Sequence, residues 1–121
     1  MKNHLVWLIA IVIFVSTPVY SAEWLKGGSL HKATVQEWRQ ATYKNRLATS
    51  SDWFVSITRA QNPKLQMKLD KLNNEEWNAT VKECSKQLEI CVSEMASDEK
   101  SWSSNSLVAT IASTCYIYMY L

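Results

Sequence analysis

Glycine and proline are scarce, with two of each in 121 residues. A β-sandwich built from many tight turns draws heavily on both, and collagenous or low-complexity chains more heavily still, so composition argues against all three. Excess charge of one sign is also missing. Thirteen Lys+Arg stand against eleven Asp+Glu, a formal net charge of +2. Nucleic-acid binders of the usual kind carry a clear cationic surplus, and this chain does not. The two glycines are adjacent, Gly27-Gly28, so there is no phosphate-cradling Gly-x-x-x-x-Gly-Lys loop. What is present is a 47% hydrophobic composition, which argues against disorder, in a length that suits one domain.

The N-terminus has a three-part pattern. Met1-Lys2-Asn3-His4 is followed by an unbroken apolar run of eleven residues, Leu5 to Val15, and then by Ser16-Thr17-Pro18-Val19-Tyr20-Ser21-Ala22. A cationic start, a short apolar run and small residues after a helix-breaking proline are the marks of a cleaved secretory signal. Eleven helical residues rise only about 16 Å, roughly half of a hydrocarbon core. Cleavage after Ser21 puts small residues at both recognition positions, Val19 and Ser21, so 1–21 is expected to be removed. The remaining 22–121 forms the domain, 100 residues with twelve basic and eleven acidic side chains. The expected location is periplasmic or secreted, where disulfides persist, with no stable membrane insertion after cleavage.

Helical periodicity runs through the rest. Ala22 to Ala33 reads as an irregular lead-in turning at Gly27-Gly28. Thr34-Val35-Gln36-Glu37 has capping-box spacing and opens a short helix with Val35 and Trp38 on one side. Tyr43 to Ala60 is helical, with Leu47, Phe54 and Val55 on one stripe. A second candidate box, Thr49-Ser50-Ser51-Asp52, leaves open whether this is one helix or two. Asn62-Pro63 supplies a cap and a first-turn proline for a helix through Leu65, Leu69 and Leu72.

From Glu75 to about Ser97, Trp77, Val81, Cys84, Leu88, Cys91 and Met95 repeat at steps of four and three, one continuous apolar stripe. The terminal segment Ser106–Leu121 fits a helix through Val108, Ile111, Cys115 and Met119. Its last seven residues also alternate with period two, but a lone strand has nothing to pair with in a helical chain. The expected fold is all-α, a small bundle of four or five short antiparallel helices with one disulfide.

Three cysteines allow at most one intramolecular bond. Cys84 and Cys91 are seven residues apart on one helix, about 10.5 Å along its axis, beyond the roughly 7 Å that a disulfide tolerates between Cα atoms. Cys115 must therefore be a partner. In an antiparallel hairpin turning between Ser97 and Ser106, the axial mismatch is about 4.5 Å for Cys91–Cys115 and about 6 Å for Cys84–Cys115, which favours Cys91. Cys84 is left as a buried thiol, or as the link in a disulfide-bonded dimer.

Catalytic chemistry has few candidates. His31 is the sole histidine after the leader, so it cannot anchor a zinc site, and a hydrolase would have to centre on it. No cofactor motif is present. Aromatic residues are the richer signal: five tryptophans and four tyrosines follow the leader. Trp38, Trp53 and Trp77 fall on helix stripes and read as core. Trp24 and Trp102 lie in polar, irregular segments, and Tyr116, Tyr118 and Tyr120 cannot all share one helical face. Trp24, His31, Trp102, Tyr118 and Tyr120 are thus the candidate partner surface. Asn45 and Arg46 are expected to tie the lead-in loop onto the first helices.

The combined reading is a non-catalytic exported protein that binds another envelope or periplasmic protein. In architecture (leader, short helices, one disulfide) the chain is similar to small periplasmic acid-stress chaperones of the HdeA type, although no motif matches them residue by residue. That likeness implies an acid-activated chaperone as an alternative, and a small hydrolase using His31 is a third.

Overall fold

The computed structural model describes residues 23–121. The expected leader and its cleavage site lie outside the described residues. After a short 3-10 turn, Glu23–Leu25, come five α-helices: α1 Val35–Gln40, α2 Tyr43–Gln61, α3 Pro63–Asp70, α4 Asn74–Ala96 and α5 Val108–Tyr120. The fold is the all-helical bundle anticipated, closed by a Cys91–Cys115 disulfide with Cα atoms 6.0 Å apart.

Local sequence sets the helix starts. Glu37 N–H donates to Thr34 Oγ1 at 3.2 Å, and Thr34 N–H donates to Glu37 Oε1 at 3.0 Å, the reciprocal pair that the Thr34–Glu37 spacing predicts. Asn73 and Glu76 repeat the device at α4, with bonds of 2.8 and 3.1 Å. Thr42 caps α2, which runs unbroken through the second candidate box. Thr49, Ser50 and Ser51 are fully buried inside that helix and are not cap residues. Their small side chains let neighbouring backbone approach closely. A Cβ added at Gly28 would lie 2.8 Å from Thr49 N, so only glycine allows the lead-in to lie against α2 at that point.

α4 is the central helix and packs against α1, α2 and α5. Trp38, Phe54, Val81, Leu88, Val92, Val108, Ile111 and Tyr116 are fully buried around it. Its buried face is rotated from the one expected. Val81 and Leu88 are central as anticipated, while Trp77, Cys84, Cys91 and Met95 are only partly buried at its flank. The covered face continues instead through Ser85, Glu89, Val92 and Ala96. Polar residues occupy it because each finds a partner: Ser85 Oγ donates to Val81 O at 2.6 Å, and Glu89 Oε2 accepts from Ser93 Oγ at 2.7 Å and from Arg46 Nε at 3.4 Å.

Asn45 and Arg46 divide the role expected of them. Asn45 does hold the lead-in: Ser29 N–H donates to its Oδ1, and its Nδ2 donates to Ser29 Oγ, both at 2.9 Å. Among the described residues, Arg46 makes no hydrogen bond to the lead-in. It points across the bundle to Glu89 and donates to Ala41 O, joining α2 to α4 and to the end of α1. Helical geometry explains the split, since adjacent residues project about 100° apart around the axis.

The ends of the bundle are tied by polar contacts. Val35 N–H donates to Ser106 O at 2.8 Å and Val108 N–H to Ala33 O at 3.0 Å, bringing the starts of α1 and α5 together in an isolated antiparallel bridge. At the opposite end Asn62 serves two elements. Its Oδ1 accepts from Leu65 N–H to cap α3, and its Nδ2 donates to Tyr116 Oη and to Tyr120 O on α5.

Candidate functional site

The outer face of α5 carries no charged side chain. Lys100 is the last charged residue of the sequence. Leu107, Thr110, Thr114, Ile117 and Leu121 follow one another at steps of three and four, so they share one stripe, with Ser113 and Tyr118 beside it. All seven are exposed. Tyr118 is 88% accessible, Leu121 63% and Ile117 54%, which concentrates apolar and aromatic surface on the last turn. The inner face explains why the helix holds its position: Val108, Ile111, Ala112, Cys115 and Tyr116 are buried, and the disulfide fixes Cys115 to α4. Tyr116 Oη lies 2.7 Å from Thr58 Oγ1, so its buried phenol is satisfied. A hydrophobic surface is thus presented on a rigid support.

The five aromatic and histidine residues singled out from the sequence do not stand equally free. Tyr118 is the most exposed of them. Tyr120, two residues on, turns inward onto Phe54 and Tyr116 with ring centroids 5.3 and 5.0 Å away, and its hydroxyl donates to Cys84 O at 3.3 Å. Trp24 and Trp102 are partly buried against the core, and Lys82 Nζ lies 5.9 Å from the Trp24 ring centroid. Ile117, Leu121 and Leu107 were not singled out at all. The signal was present: the 21 residues after Lys100 contain no Asp, Glu, Lys or Arg.

His31 belongs to a different part of the surface. Its Nε2 lies 2.8 Å from Asp52 Oδ2, and its ring meets Trp53 edge-on at 6.3 Å. Together with Leu25, Ser51 and Trp77, these residues line a groove of about 430 Å³. Ser51 Oγ is buried there without a hydrogen-bond partner, so no Ser–His bond completes a nucleophile relay in this arrangement.

Cys84 is a free, half-buried thiol. Burial pushes its pKa up from the ordinary value, the direction opposite to that of an activated nucleophile. Among the described residues, no group of three His, Cys, Asp or Glu is placed to hold a metal ion. No helix there is long and apolar enough to cross a membrane.

The fold and surface define the class: a small, disulfide-closed, all-helical domain whose last helix has an outer face without charged side chains, apolar at its final turn. Against protein-family models, curated proteins and solved structures, the chain matches none.

Proposed function

We propose that this is an exported, non-catalytic helical module that binds another protein of the envelope or periplasm through the outer face of α5. The observation that carries the reading is the exposure of Ile117, Tyr118 and Leu121 together on a face without a charged side chain. Exposed apolar groups gain free energy when a partner removes them from water, and tyrosine contributes large contact area at small entropic cost. Depletion of charged side chains is also what distinguishes the core of an interface from ordinary surface. The leader pattern supplies the route to the compartment, and the disulfide suits an oxidising one.

The test compares capture from envelope extract by the wild-type protein, by Tyr118→Lys and by Lys64→Glu, whose site is exposed on α3. A specific partner retained by wild type and Lys64→Glu and lost with Tyr118→Lys supports the reading. Equal capture by all three, or none by any, contradicts it.

A further inference from the structure

We propose that Cys91, Met95 and Cys115, once their disulfide is reduced, form a three-sulfur site for Cu(I). Met95 stands one helical turn after Cys91 on α4, so the two side chains leave the same face. Cys115 approaches from α5, and its Sγ lies 3.3 Å from Met95 Sδ. Cys91 Sγ lies 4.0 Å from the same thioether. Three sulfurs from two helices thus converge. Packing alone would be served equally by the Met95 methyl group, yet it is the sulfur that meets both cysteines.

The donor chemistry selects the ion. Thiolate and thioether sulfurs are soft ligands, and a set made of them alone favours Cu(I) over cations that seek oxygen or nitrogen. Among the described residues, no histidine, carboxylate or third cysteine completes a set of three with Cys91 and Cys115, as a structural zinc site would need. Metal–thiolate bonds of about 2.3 Å place three sulfurs around one ion about 4 Å apart. Met95 already has that separation from Cys91. The 6.0 Å between the Cys91 and Cys115 Cα atoms lets the freed sulfurs part by side-chain rotation.

The disulfide keeps the site shut, and a dithiol reductant opens it. Cys115 is 1% exposed and Cys91 only partly buried, so attack falls on Cys91 Sγ. A thiolate of the reductant bonds to Cys91 Sγ, and Cys115 leaves as a thiolate that takes up a proton. The second thiol of the reductant then closes its own disulfide and releases Cys91. Two electrons and two protons have passed to the protein. Cu(I) displaces both thiol protons to solvent, takes Met95 Sδ as its third ligand and stays Cu(I).

The experiment reduces the exported protein with a phosphine under anaerobic conditions and titrates it with Cu(I) against a chromophoric chelator. Cys84→Ser, which removes the free thiol, is treated in the same way. The expected result is one Cu(I) retained per chain of Cys84→Ser and three sulfur neighbours in copper-edge X-ray absorption. Copper should also restore about half or more of the Tm that reduction removes. Met95→Leu keeps an apolar side chain of similar size, so its oxidised form should melt close to wild type. Its reduced form should hold Cu(I) about tenfold more weakly or worse. Failure of reduced Cys84→Ser to retain Cu(I), or unchanged affinity in Met95→Leu, would overturn the proposal. So would a copper with fewer than three sulfur neighbours, or equal retention by the oxidised protein. The X-ray absorption of Cys84→Ser decides the matter even if Met95→Leu folds poorly.

Discussion

Arg46 of α2 and Glu89 of α4 meet at 3.4 Å across the middle of the bundle, with the Glu89 side chain only 6% exposed. Arg46 and the Ser93 hydroxyl both donate to this carboxylate. Removing one member of such a pair leaves an uncompensated charge in a low-dielectric setting. Arg46→Ala is therefore expected to lower the unfolding free energy by about 3 kcal/mol in urea titrations. Glu89→Gln, which keeps the shape and leaves the partly exposed arginine to water, should cost less. A change below about 0.5 kcal/mol for Arg46→Ala would class the contact with ordinary surface pairs.

The Cys91–Cys115 bond closes a loop with a sequence separation of 24. The loop-entropy relation gives about 3.5 kcal/mol for a loop of this length, a large share of the stability of a domain this small. Reduction should lower Tm by more than about 10 °C in thermal melts with and without reductant. Thiol labelling of the unfolded, unreduced protein should modify one cysteine, Cys84. Labelling of three would show that the bond does not form.

Alkaline pH should weaken the fold. Burial pushes the Cys84 thiol above its ordinary 9.0, and burial followed by the neighbouring Cys84 charge raises the Tyr120 phenol above its ordinary 10.0. Both groups bind their proton more tightly folded than unfolded. Their contribution is thus present in full below the unfolded values and is lost as pH rises through the folded ones. Thermal melts should show Tm falling from about pH 9 upward, with a shallower fall in Cys84→Ala and in Tyr120→Phe. At the acid end the sign reverses. The Thr34 backbone and hydroxyl hold Glu37 below its ordinary 4.5, so its capping contribution is present above that value and lost as pH falls through the lowered one.

The helix starts could be read because capping is local: Thr34 with Glu37, and Asn62 before Pro63, announce themselves within four residues. The disulfide could be read because helical rise limits which Cα atoms can approach. The buried face of α4 could not be placed correctly, since hydrophobic periodicity overlooks Ser85 and Glu89, whose burial depends on partners elsewhere in the structure. The role of Arg46 is hidden from local sequence for the same reason: its partner is 43 residues away. At the candidate surface, counting aromatics found Tyr118. Only the absence of charge after Lys100 would have added Ile117 and Leu121.

The central claim is that the outer face of α5 is covered by a different protein. Photo-cross-linking in living cells tests it most directly, with a photoreactive residue placed at Tyr118 and, as control, at Lys64. The account predicts a covalent adduct to one other protein from position 118 and none from position 64. Adducts to a second copy of this chain alone, or the same pattern from both positions, would contradict it.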